Sequence, residues 1–82
     1  WFAGADLSNK DLTGTNLTNV DLSNMNLSNT VLRYANLTNV NLTNVDLSNK
    51  DLTGADLTNA NLTNAQLENT ILDCINHEVC LP

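Results

Sequence analysis

Leucine recurs at every fifth position from Leu7 to Leu72, and Phe2 extends the series one step back. Around each leucine the chain is polar: usually Asp or Asn before it, Ser or Thr after it, then Asn or Gly. A period of five fits neither simple element. On an α-helix each such step rotates about 140° round the axis, so the leucines would scatter over every face. On one continuous strand an odd step sends successive side chains to opposite faces. The leucines can share an interior only if the chain turns once per unit, and Asn and Gly accept the backbone of a tight turn. Each pentapeptide is therefore predicted to be one short side and a corner. Coils stack, backbones pair between them, and leucines fill the lumen.

A longer repeat sets the number of sides. Residues 6–14 recur intact as 46–54, and Thr30-Val31-Leu32 is answered by Thr70-Ile71-Leu72, both at an offset of 40. Forty is two turns of a 20-residue, four-sided coil, but no whole number of 15- or 25-residue turns. A ten-residue coil would be too thin to house leucines.

The string Ala55-Asp56-Leu57-Thr58-Asn59-Ala60-Asn61-Leu62-Thr63-Asn64 resembles the pentapeptide-repeat family, whose consensus is A(D/N)LxX. The resemblance runs through residues 1–75 and leaves 76–82 as a C-terminal cap. It implies an all-β fold, a right-handed quadrilateral β-helix. The central Leu and the residue two before it point inward, and the other three point outward. Fifteen repeats make about 3.75 coils of 20 residues, a rod roughly 18 Å tall at about 4.8 Å per coil.

Charge and composition narrow the partners. The net charge of −6 opposes binding to nucleic acid or an anionic membrane. No apolar run approaches a membrane span. The chain begins at Trp1 without Met, as expected of a removed leader, a removed preceding domain or a trimmed sequence alike. Five Asn-x-Ser/Thr sequons, starting at Asn16, Asn26, Asn36, Asn41 and Asn61, follow from the repeat vocabulary and carry no separate meaning.

Sorting residues into four columns makes one side uneven. Its inward position before the Leu reads Lys10, Thr30, Lys50, Thr70; the next reads Asp11, Val31, Asp51, Ile71; the corner reads Gly14, Tyr34, Gly54, Cys74. An inward lysine is costly unless paired, so each ammonium is expected on a Thr hydroxyl, a backbone carbonyl or a neighbouring Asp. Val31, Ile71 and Tyr34 should face outward, with the two glycines leaving room for the ring. Lys10, Val31, Tyr34, Lys50 and Ile71 mark the side expected to meet a partner. Elsewhere no two Asp stack on adjacent coils, which avoids like-charge repulsion.

At the C-terminal end His77 falls where the next Leu should stand, so the repeat stops. Cys74 and Cys80 are the only cysteines, and their spacing suggests a disulfide closing the cap. A Cys74–His77–Cys80 metal site would be one ligand short of a closed zinc set. A Cys–His catalytic pair would need an orienting group and a cleft. Trp1 and Phe2 are expected to cover the first coil.

The reading that follows is a non-enzymatic structural or protein-interaction module, with no catalytic residue, cofactor or metal. Its partner is an unidentified protein, and the chain is a monomer or associates end to end. The family resemblance implies the same, and family members are abundant in cyanobacteria and plastids, some of them exported. With the disulfide this suggests an extracytoplasmic location (thylakoid lumen, periplasm or secreted), the alternative being cytoplasmic. Two other functions compete. Some relatives mimic DNA and bind DNA gyrase, but they are longer rods, and here the Asp columns are interrupted. The Thr18-Thr38-Thr58 ladder beside Asn19, Asn39 and Asn59 could meet a flat lattice such as ice or a polymer, although ordinary ladder bonding explains it.

Overall fold

The computed structural model describes residues 6–80; Trp1 and Phe2, expected over the first coil, lie outside them. The corner comes first, because it sets everything else. From Leu7 to Leu67, the N–H three residues after each leucine donates to that leucine's carbonyl, as in Lys10 to Leu7 (3.2 Å) and Ala60 to Leu57 (3.0 Å). The residue between, two after the leucine, has positive φ: 64° at Asn9, 60° at Asn39, 69° at Gly14. That combination is a type II turn, which demands Gly or Asn at its third position. The repeated Asn and Gly are therefore the reason the chain turns every five residues.

Four turns bring the chain back over itself. Parallel pairings join Asp11 to Val31, Asn16 to Asn36 and Asp21 to Asn41, each 20 residues apart. We number the sides by their leucines: side 1 holds Leu7, Leu27, Leu47 and Leu67; side 2 holds Leu12, Leu32, Leu52 and Leu72. Side 3 holds Leu17, Leu37 and Leu57, and side 4 holds Leu22, Leu42 and Leu62. Successive coils are residues 6–24, 25–44, 45–64 and 65 onward.

Leu17, Leu22, Leu27, Leu32, Leu37, Leu42, Leu47, Leu52 and Leu57 are fully buried, and Ala35, Val40, Val45, Ala55 and Ala60 fill the lumen beside them. These are the leucines and the residues two before them, the inward pair expected. Toward the last coil Leu62, Leu67 and Leu72 are only partly buried, with Val79 and Cys80 packed against the same core.

The fourth unit of side 2 departs from the period. Gly54 N–H still donates to Asp73 (2.7 Å), yet Ile75 N–H reaches Ala55 (2.9 Å) and Asp56 pairs with Ile75, an offset of 19. One residue has dropped out of the turn, and Cys74 lacks the positive φ of a corner. The period placed Cys74 at an outward corner; instead it is buried, in line with Ala35 and Ala55. From inside the lumen its sulfur lies 2.00 Å from that of Cys80, at disulfide distance.

Candidate functional site

Outside the turns one polar device recurs. At each Asp or Asn preceding a leucine, Oδ1 accepts the N–H of the Ser or Thr two residues on: Asp11 from Thr13 (3.0 Å), Asn36 from Thr38 (3.1 Å). In most units the hydroxyl donates to the same oxygen, as Thr58 does to Asp56 (2.6 Å). These hydroxyl and backbone donors hold the carboxyls of Asp6, Asp11, Asp21, Asp46, Asp51 and Asp56 below their ordinary value. The partners appear and vanish together. Where the acceptor is Val31, Gln66 or Ile71, the position two on is Arg33, Glu68 or Asp73, never Ser or Thr.

Two of those three exceptions lie on side 2. There Val31, Tyr34 and Ile71 are 38%, 57% and 52% exposed, and Ile75, paired with Asp56 on side 3, is 49% exposed. Tyr34 holds a corner at φ 60°, where the other described corners carry Asn or Gly. A left-handed backbone costs a bulky residue roughly 1–2 kcal/mol. Its ring lies over Gly54, where an added Cβ would overlap Cδ1 and Cε1, whereas Gly14 has nothing within 4 Å. The ring thus uses one glycine of the pair, not both. Arg33 sits 5.6 Å from the ring centroid and 3.4 Å from the Asp51 carboxylate. Side 2 also carries all three cations of the chain, Lys10, Arg33 and Lys50, against Asp11, Asp51 and Asp73; the six remaining acids lie elsewhere with no cation among them.

The two lysines behave differently. Lys10 is exposed, although its column points inward. Lys50 is buried and its ammonium donates to the carbonyl of Leu27. Thr30 and Thr70, in the same column, donate to Leu7 (2.8 Å) and Leu47 (2.7 Å), the carbonyl standing in the same relation. Lysine reaches that acceptor from farther away, and burial lowers its pKa, partly offset by Asp46.

The extra length opens the wall. Coils 25–44 and 45–64 pair normally on sides 3 and 4, as in Leu37 to Asp56 (2.8 Å) and Leu42 to Asn61 (2.8 Å). On side 1 and the start of side 2 no backbone hydrogen bond joins residues 25–32 to 45–51. A groove fills the gap, lined by Met25, Leu27, Asn29 and Val31 on one lip and Asp46, Ser48, Lys50 and Asp51 on the other. Of the residues expected at a partner-binding side, Val31 and Lys50 meet in this groove, Tyr34 and Ile71 stand outside it on the same side, and Lys10 is apart. Sequence reasoning missed Arg33, Ile75 and the side 1 lip. Arg33 was signalled by the lapse of the Asp/Asn–Ser/Thr pairing, and the groove by Lys in a column of Thr.

The C-terminal turn uses its polar groups internally. His77 Nδ1 accepts Val79 N–H (3.2 Å), so Nε2 carries the proton it donates to the Ala60 carbonyl (3.0 Å). With the two sulfurs joined to each other, the Cys74–His77–Cys80 set has no free donor pair. Among the described residues no group of three His, Cys, Asp or Glu side chains is placed to hold a metal ion.

A 20-residue coil with four type II corners, a leucine lumen and Asx-braced sides defines a four-sided β-solenoid. The pentapeptide-repeat model matches residues 2–33 and 35–73 in eight copies, and the chain belongs to that family. The match breaks at Tyr34. No curated protein matches the chain. Among solved structures it is similar to the pentapeptide repeat protein Rfr23 of the cyanobacterium Cyanothece 51142, at 28% identity and TM-score 0.66, covering 88% of this chain and 64% of that one. It is also similar to a pentapeptide repeat protein of the Arabidopsis thaliana thylakoid lumen, at 32% identity and TM-score 0.60, covering 93% and 57%. The chain thus spans about six-tenths of either relative's length. Proteins of this fold are right-handed β-helices and generally non-catalytic.

Proposed function

We propose that the chain is a non-enzymatic interaction module that meets a protein partner through side 2. The observation that carries this is the cost of that side's departures. Tyr34 occupies a left-handed corner that Asn fills elsewhere, and Val31 with Arg33 forgoes a bonded pair that other units keep. Local departures from a self-consistent pattern that lower stability are the mark of a site kept for another reason. The exposed Tyr and Arg are residue types that dominate binding hot spots.

The coil count of about 3.75 and a C-terminal cap belong to the same reading, supported by the 20-residue pairings and by Val79 and Cys80 against the core. The joined cysteines favour an extracytoplasmic location, and a relative from the thylakoid lumen agrees with it. Acidic sides 1, 3 and 4 speak against nucleic acid or anionic lipid as the partner.

The test is the variant Val31→Asn/Arg33→Thr/Tyr34→Asn, which returns side 2 to the repeat. It should melt at or above the parent's temperature. A clear loss of stability would show that these residues serve the fold, and the interaction side would fall.

A further inference from the structure

We propose that the split between coils 25–44 and 45–64 is a slot for an extended polypeptide segment, which enters the wall as an added strand. The inference rests on the reading that the module binds protein, and it names where and by what chemistry.

The split leaves backbone groups unused. By the pattern of the intact sides, Leu27, Asn29 and Leu32 N–H should donate to Asp46, Ser48 and Asp51 carbonyls, while Asp46 and Asp51 N–H should reach Met25 and Thr30. None of these five bonds forms. Two parallel edges therefore face each other across a groove of about 590 Å³, within the range of sites that enclose a small ligand or a few residues. Free N–H and C=O groups in register are what an added strand recognises, main-chain bonds supplying affinity and alternate side chains supplying specificity.

The side chains around the slot say which segment fits. On the first lip Met25 and buried Leu27 give an apolar lining and Val31 an exposed apolar edge. Asp46 and Asp51 stand at the two ends of the other lip, Asp46 with no cation in an ion pair among the described residues and Asp51 with Arg33 at 3.4 Å. The occupant is an extended segment alternating small aliphatic and basic residues, following the corner at Asn29 and Asn49. Lys50 holds the slot open. Its side chain, longer than the Thr of neighbouring coils, separates the coils while its ammonium ties to the Leu27 carbonyl on the opposite lip. A second copy of the chain brings another −6 charge and is disfavoured as occupant.

The test has two arms. In hydrogen exchange, the amides of Leu27, Asn29, Leu32, Asp46 and Asp51 should exchange far faster than those of Leu37, Leu42 and Asn61 on the intact sides. Lys50→Thr, which copies the residue at positions 30 and 70, should fold, close the split and slow those five amides. Equal protection in the parent would overturn the slot outright. The second arm titrates a heptapeptide of alternating lysine and valine, monitored by NMR. Shifts should be confined to residues 25–32 and 46–51, and affinity should fall about tenfold or more in Lys50→Thr and with the same peptide N-methylated on its backbone, tenfold corresponding to 1.4 kcal/mol. Equal binding of the N-methylated peptide would overturn strand pairing, as would no shift in the slot at all. Shifts spread over every acidic side would reduce the binding to charge. Concentration-dependent shifts in the slot without peptide would give it to a second copy. In each of these cases the consensus-restored side 2 variant still reports separately on the interaction reading.

Discussion

At the scale of single residues, the corner glycines provide a matched pair. Gly14 and Gly54 have φ of 69° and 71°, so an added methyl meets the same backbone penalty at both. Only Gly54 lies under the Tyr34 ring. Gly14→Ala should cost about 1 kcal/mol from the left-handed backbone. Gly54→Ala should cost about 1–3 kcal/mol more, from overpacking. In a Tyr34→Asn background the difference should vanish, a coupling that a double-mutant cycle by thermal melting reads directly. The same scale explains Lys50. Its folded-state pKa is lowered, so the cost of burying its charge is complete below that lowered value and is relieved as pH rises through it toward 10.5, the ordinary value. Lys50→Thr should remove that alkaline gain.

At the scale of the element, each side is braced by an Asp or Asn acceptor beneath a Ser or Thr. Six of those acceptors are aspartates with lowered pKa values, so their stabilisation is complete above the ordinary 3.8 and is lost as pH falls through the lowered values. Asparagine keeps the Oδ1 acceptor and does not titrate. Replacing Asp11, Asp21, Asp46 and Asp56 by Asn should therefore leave the melting temperature at pH 7 nearly unchanged and flatten its decline below pH 4. Equal acid sensitivity of parent and variant would place the effect elsewhere. The coil, its inward pair and the outward set at Val31, Tyr34 and Ile71 were legible because each depends on residue type at a fixed phase of a strict period. The opened wall was not, because it depends on how far one side chain reaches rather than on its polarity. Lys50 and Thr30 satisfy the same kind of carbonyl, and they differ in the length of the arm that reaches it. The inward turn of Cys74 was equally hidden, since nothing in Asp73-Cys74-Ile75 marks a turn one residue short.

At the scale of the whole molecule, the sulfur bridge ties the last described turn to the lumen. It closes a loop of sequence separation 6, worth about 2 kcal/mol by loop-closure entropy. In a chain of this size that is a shift of roughly 10 °C in melting temperature. Reduction, or Cys74→Ser/Cys80→Ser, should produce it, with intact mass after alkylation confirming the thiol count; an unchanged melt would mean the bridge contributes nothing to closing the end. The short turn beside it reaches further. A stack of identical layers grows as a crystal does, each layer offering the next the lattice it was itself laid upon. The missing residue puts a step fault into the last described layer: sides 1 and 2 keep the 20-residue registry through Asp73, while Ile75 is displaced by one. An incoming layer can match one part or the other, never both. The fault thus opposes stacking at this end, and inserting one Asn between Asp73 and Cys74, which restores the corner and leaves the cysteine inward, should favour end-on assembly, read as particle size against concentration by light scattering.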